Sequence, residues 1–276
     1  MAIDYEVEYD NRARVPEHPE ILGRMAKEAA AYRDAAIAAG RAALDVSYGS
    51  SPRQIVDIFD PPDGGTAPLA VFVHGGYWRA LAPAAFSQVA AGLNTRGMTV
   101  ALAGYDLCPQ VGIGEIIEQI RQACLFLWRR TGRCMLVFGH SAGGHLAATS
   151  LATDWAKYGA PADLVPAAMA ISGLFDLVPL TKTAMNVDFK MDEAMARKLS
   201  PLTWPAPDGK TLDAVVGGDE SSEFLRQSRI ITEIWGADGV TTRFEAVPGA
   251  NHFTVIEPLA DPNSAMVARL LELLPK

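Results

Sequence analysis

Cysteine is scarce in this chain: 276 residues hold three, Cys108, Cys124 and Cys134. An odd number with no C-x-x-C pair suits neither a disulfide framework nor a zinc site. Their places in predicted helix, strand or strand-end segments suit reduced thiols in a core. No H-E-x-x-H or EF-hand loop occurs, so no metal is implied. Gly112-Ile113-Gly114 lacks the third glycine of a dinucleotide fingerprint and follows a proline loop, so no cofactor is expected either. Basic charge is also short, with 24 Lys and Arg against 32 Asp and Glu and a net charge of −8. That balance argues against nucleic acid or an anionic membrane as partner. No run approaches about 18 uninterrupted apolar residues, so no membrane span is expected. The opening MAIDYEVEYDNRARVPEHPE has no apolar centre and does not read as a secretory signal. A cytoplasmic protein with a small-molecule substrate is the expectation; assembly into identical copies stays open.

What is present fits a globular chain, with 49% hydrophobic and 20% charged residues. The length suits one large α/β domain over 1–276. Residues 17–43, rich in alanine, read as a helix or helix pair within an N-terminal extension over 1–44. Gln54–Phe59 alternates like a half-buried strand and is closed by Pro61-Pro62-Asp63-Gly64-Gly65. Further strands are predicted at Leu69–Val73, Thr99–Ala103, Cys134–Phe138, Pro166–Ile171, Ala214–Val216 and Thr242–Val247. Helices are predicted near 83–96, Ile113–Arg130, after 141, Glu223–Trp235 and near 262–274. This alternation gives a doubly wound, mainly parallel sheet flanked by helices. Residues 174–205, irregular and proline-rich, are the candidate lid or substrate wall.

One break between strand and helix is informative. Gly139-His140-Ser141-Ala142-Gly143 reads G-x-S-x-G, the nucleophile elbow, with the flanks that motif requires. Glycines at such a junction are ordinary punctuation, but this spacing would hold Ser141 on a sharp turn and push its hydroxyl into the open. The N–H of Ala142 would then sit at a helix N-terminus, where an oxyanion can be bound.

A serine hydroxyl needs a base, and the base needs a carboxylate. Among five histidines, His18 lies well before the sheet and His74 precedes the serine. His140 and His145 flank the elbow, and His145 reads as packed beneath it. His252 alone follows the last strand, where the order Ser…acid…His of hydrolases with this elbow puts the base. The acid should follow Ala214–Val216. There stand Asp219 and Glu220, and sequence physics does not choose between them. Phe72-Val73-His74-Gly75-Gly76-Tyr77-Trp78 leaves a strand through two glycines, as in HGGG-type oxyanion turns. The predicted donors are therefore Gly75, Gly76, Tyr77 and Ala142. The bulky Tyr77 and Trp78 would line the acyl side and limit its size.

His74-Gly75-Gly76-Tyr77-Trp78 together with Gly139-His140-Ser141-Ala142-Gly143-Gly144 resembles the α/β-hydrolase superfamily, in particular its kynurenine formamidase (arylformamidase) branch. Tyr105-Asp106-Leu107-Cys108-Pro109 is similar to that family's Tyr-x-Leu-x-Pro. Ser222-Glu223-Phe224-Leu225-Arg226-Gln227-Ser228 is similar to its helix start. The resemblance spans roughly residues 45–260; nothing in 1–44 matches. It implies an acid three residues before Glu223, which is Glu220. The family usually has Asp there, and this chain's Asp219 stands one residue earlier. It also implies a serine hydrolase removing a small acyl group, N-formyl above all, from an arylamine such as N-formylkynurenine. A short-chain carboxylesterase or thioesterase is the rival activity, and an inactive binding protein on the same scaffold is the rival of another class.

Overall fold

The computed structural model describes residues 3–64 and 69–274; Gly65 of the predicted turn lies outside them. In chain order, helices α1 (Tyr5–Tyr9), α2 (Asn11–Arg14) and α3 (His18–Ala38) precede strands β1 (Ala42–Ser47), β2 (Ile55–Phe59) and β3 (Leu69–Val73). A 3-10 stretch over Pro83–Ala90 runs into α4 (Ala91–Thr95), and β4 (Thr99–Ala103), α5 (Ile113–Thr131), β5 (Met135–His140) and α6 (Ala142–Leu151) follow. After β6 (Ala167–Ile171) come α7 (Asn186–Phe189), α8 (Glu193–Leu199), β7 (Thr211–Gly217), α9 (Ser222–Ala237), β8 (Thr241–Val247) and α10 (Ala265–Glu272).

The strands form one sheet in the order β1-β2-β4-β3-β5-β6-β7-β8. The pairs β1–β2 and β2–β4 are antiparallel, and every pair from β4–β3 to β7–β8 is parallel. Both faces of the central strands are buried, which is why these strands read as unbroken apolar runs. The pleat still sorts their side chains. Val71, Ala101 and Val137 join one core with Ile116, Leu146 and Trp235 from α5, α6 and α9. Their neighbours Phe72, Val100 and Phe138 join a second core with Met25, Leu93 and Val267 from α3, α4 and α10. Each fully buried Val, Leu, Ile, Phe or Met among them stabilises the fold by roughly 1.5–3 kcal/mol. In α5 the buried positions Ile113, Ile116, Ile117, Ile120, Ala123, Cys124 and Leu127 keep helical spacing along one stripe.

Two segments differ from the sequence-based expectation. The alanine-rich helix stops at Ala38, and Ala42–Ser47, partly read as its end, pairs antiparallel with β2. The stop is built from hydrogen bonds: Gly40 takes φ 65°, its N–H reaches Ile37 O at 2.9 Å, and Arg41 N–H reaches Ala36 O at 2.9 Å. Edge pairing then overrides the helix propensity of Ala42 and Ala43. Residues 174–205 are not irregular. They hold α7, α8 and 3-10 turns at Val178–Lys182 and Pro201–Thr203, all too short to show a helical period. All three cysteines are free thiols, Cys108 and Cys124 buried and Cys134 half-buried. Among the described residues no helix is long and apolar enough to cross a membrane.

Candidate active site

Ser141 stands between β5 and α6 at φ 56° and ψ −119°, a conformation that costs a non-glycine residue roughly 1–3 kcal/mol. Close packing of its neighbours holds the turn. A Cβ on Gly143 would lie 1.9 Å from Val73 O, and one on Gly75 would lie 3.0 Å from Ser141 Cβ. Glycine at both positions lets the β3 exit loop and the head of α6 close against the serine.

His252 sits in the loop after β8 with 5% of its surface exposed. That loop is fixed locally: Asn251 Oδ1 accepts from the N–H of Phe253 at 2.9 Å and of Thr254 at 3.0 Å, while Thr254 Oγ1 accepts from Asn251 N–H at 3.0 Å. His252 Nδ1 donates to Glu220 Oε2 at 2.6 Å. The other carboxylate oxygen, Oε1, accepts from Gly217 N–H at 2.7 Å and Ser172 Oγ–H at 2.5 Å. A buried carboxylate with its lone pairs so occupied is held in one orientation. Asp219 is exposed and its side chain turns outward from the same loop. Of the two expected acids, the structure brings Glu220 and not Asp219 to His252.

The β3 exit loop is also strained. Gly76, Tyr77, Trp78 and Leu81 have φ of 105°, 49°, 54° and 75°. Gly75, Gly76 and Tyr77 line a cavity of about 540 Å³ together with Ser141, His140 and His252. Ala142 is the first residue of α6, directly after the serine. Trp78 departs from expectation. It is fully buried, edge-on to His145 at 5.0 Å and Phe189 at 5.8 Å, and does not line the cavity. The two successive left-handed residues send Tyr77 toward the cavity and Trp78 into the core. Of the two, only Tyr77 lines the cavity.

The serine is also less open than the elbow motif implies. Ser141 is 2% exposed, because α1, α2 and α3 roof the cavity with Glu6, Tyr9, Asn11, Arg12 and Met25. From 174–205 only Met185 and Asp188 reach it, and Asp188 pairs with Arg79 at 2.8 Å. Among the described residues no hydrogen bond joins Ser141 Oγ to His252, though both line the same cavity.

Comparison with known proteins bears on this arrangement. The BD-FAE family model matches residues 56–204. A kynurenine formamidase of Danio rerio is 30% identical over 84% of this chain and 82% of its own length. One from Drosophila melanogaster is 30% identical over 79% and 76%. The chain belongs to the kynurenine formamidase family of α/β-hydrolases. It is thus a hydrolase of small acyl groups. A solved candidate thioesterase from a Silicibacter species is 36% identical, covers 98% of this chain and 100% of its own, and superposes with a TM-score of 0.84. Esterase B of Lactobacillus rhamnosis, 17% identical with a TM-score of 0.67 over 94% of each chain, shares the fold.

Within this member of the formamidase family, three contributors escaped the sequence reading. Ser172, left-handed at φ 50° at the exit of β6, donates to Glu220. Its signal was slight, a Ser-Gly pair at a strand end. His140 packs its ring 4.7 Å from that of His252 and bonds through Nε2 to the His252 carbonyl at 2.8 Å. Burial, with His252 adding to it, holds His140 well below the usual histidine range, so it stays neutral and donates that bond. The third contributor is the roof, whose short helices carry no motif. His74, stacked on Tyr105 at 4.3 Å, and His145, bonded to Leu199 O at 2.9 Å, are pushed down to about 4 by burial and stand in the core.

Proposed function

We propose that this hydrolase removes the formyl group of an N-formyl arylamine such as N-formylkynurenine through an acyl-enzyme on Ser141. In this reading Ser141 Oγ attacks the formyl carbon while His252 Nε2 takes its proton. The oxyanion receives N–H groups from Gly76, Tyr77 and Ala142, with Gly75 giving the close approach. Collapse breaks the C–N bond, and His252 passes its proton to the departing amine. Water then attacks the formyl ester, His252 acts again as base, and formate leaves with Ser141 restored. Glu220 keeps Nδ1 protonated and stabilises the imidazolium of each step.

The observation that carries the reading is the Glu220–His252 pair, buried and aligned at 2.6 Å, opening on the same cavity as the elbow serine. Relatives that are kynurenine formamidases favour the formyl amide. Tyr77 beside the elbow favours a small acyl group, since an added methylene or two in a filled space costs about 1–3 kcal/mol. Arg12 lines the cavity and has no ion-pair partner among the described residues, so it is available to a carboxylate on the amine. A second reading, short-chain thioester or ester hydrolysis, is favoured by the 36% identical candidate thioesterase.

A substrate series separates the two. Formyl, acetyl and butyryl groups on one arylamine, one phenol and one thiol should give kcat/KM falling roughly tenfold at each enlargement. The amide should be turned over when the acyl group is formyl. A preference for butyryl esters or thioesters, with no formanilide turnover, would establish the second reading instead.

A further inference from the structure

The strained exit loop of β3 touches the roof at one polar point. Tyr77 Oη–H donates to the carbonyl of Tyr9 at 2.8 Å. Having given that proton, the phenol oxygen can only accept, and Asn11 Nδ2 faces it at 3.4 Å. Tyr9 is itself pinned. Its hydroxyl donates to Glu223 Oε2 at 3.1 Å and accepts from Gln227 Nε2 at 2.8 Å. Gln227 Oε1 accepts from the N–H groups of Phe175 at 2.5 Å and Asp176 at 2.8 Å. Glu8 Oε2 accepts from Ser222 Oγ–H at 2.8 Å and Glu223 N–H at 2.9 Å, closing the first turn of α9. That helix begins two residues after Glu220. The Ser-Glu-Phe-Leu-Arg-Gln-Ser stretch therefore has a physical role, because its Glu223 and Gln227 receive the roof.

We propose that Tyr77 and Tyr9 are positioning residues, whose hydrogen bond holds the Gly76–Tyr77 backbone in the conformation that aims its N–H groups at the reacting carbonyl oxygen. The inference rests on the hydrolase reading above and adds the source of the loop's rigidity. Left-handed tyrosine persists only where its surroundings over-determine it. Trp78 is fixed by its buried ring and by Cys108 N–H, which donates to Trp78 O at 2.8 Å. On the Tyr77 side the peptide is held at its carbonyl by Arg79 N–H, which donates to Gly76 O at 3.0 Å, and at its side chain by the phenol. Loss of the phenol's bond leaves the ring and the cavity volume in place and removes one of these two fixtures.

A backbone donor matters more to the oxyanion than to the ground-state carbonyl, so the expected change is in kcat. Tyr77→Phe in the full chain should lower kcat about tenfold on both phenyl acetate and formanilide, with KM within about twofold of wild type. Inhibition by phenylboronic acid, whose adduct places an oxygen in the same hole, should weaken in parallel. Tyr9→Phe, which cuts the bonds to Glu223 and Gln227 that pin the acceptor residue, should move kcat the same way by less, and it carries the test should Tyr77→Phe not fold. A wild-type kcat in these variants, or a loss carried by KM alone, overturns the tether. If wild-type turnover does not depend on Ser141, the hydrolase reading falls and takes the tether with it. If that turnover is intact and the variants are silent, only the tether falls.

Discussion

On the floor of the cavity, Ser141, Glu220 and His252 each stand within a few residues of the C-terminal end of a parallel strand, β5, β7 or β8. On the roof, Glu6, Tyr9, Asn11 and Arg12 stand on helices of five and four residues or next to them. The floor is placed by backbone ladders and by two packed cores; in the roof α3 and Tyr9 share those cores, and α1 and α2 are otherwise placed by side-chain hydrogen bonds to distant elements. Short helices are marginal alone, so the roof exists because Glu8, Tyr9 and Glu6 find partners at Glu223, Gln227 and Ala184. The difference divides the labour. In the proposed reading, the groups that must hold their geometry to a fraction of an ångström are on the sheet, and those facing the rest of the cavity are on the N-terminal segment.

This contrast can be pressed hardest on the floor. Ser141→Ala should lower kcat on the order of 10³-fold or more with the fold kept, as read by steady-state turnover and a fluorophosphonate label that no longer attaches. Retained turnover would remove the serine from the chemistry. Glu220→Gln should cost about 10²-fold or more in kcat, because His252 loses its orienting charge and the single amide oxygen cannot serve both His252 and the Ser172–Gly217 pair. Asp219→Asn, exposed on the same loop, should stay within about twofold. A damaging Asp219→Asn would mean that the loop rearranges in turnover.

On the roof the effects should be smaller and selective. Arg12→Gln should lower kcat/KM about five- to tenfold for an acyl arylamine bearing a carboxylate and leave the uncharged analogue unchanged. An equal loss on both would make Arg12 structural. The mildest effect belongs to pH. His74 and His145 are buried with pKa pushed down to about 4, below their unfolded value near 6.5. Between those values the unfolded chain binds protons that the folded one refuses. Stability is complete above about pH 6.5 and falls as pH drops toward 4, by an amount on the order of 1 kcal/mol per histidine at pH 5.5. Urea midpoints at pH 7.5 and 5.5 measure it, and a flat profile would show that neither is held neutral.

The same contrast explains what could be read beforehand. Ser141, His252 and the Gly75-Gly76 turn could be picked out because they stand at particular distances from strand ends, and the structure brings them to one cavity. The parallel sheet was legible for a related reason, in that strands covered on both faces are apolar throughout. Between Asp219 and Glu220, the bond to His252 depends on how a two-residue turn rotates, which neither side chain encodes. Trp78 was misplaced because a left-handed pair of residues breaks the alternation that sequence patterns assume. The roof stayed hidden because Tyr9 and Asn11 look like any polar helix surface until Tyr77 and Gln227 are brought beside them. β1 was hidden by alanines whose preference is helical.

The bonds that join the roof to α9 link residues 214 to 218 positions apart, Tyr9 with Glu223 and Gln227 and Glu8 with Ser222. On the ribosome, the segment carrying Tyr9 therefore emerges long before the helix that pins its hydroxyl. Contacts so remote in sequence close slowly, because the intervening chain must be ordered first. The roof over Ser141 thus depends on pairings that span most of the chain, and these cannot close before α9 has been made.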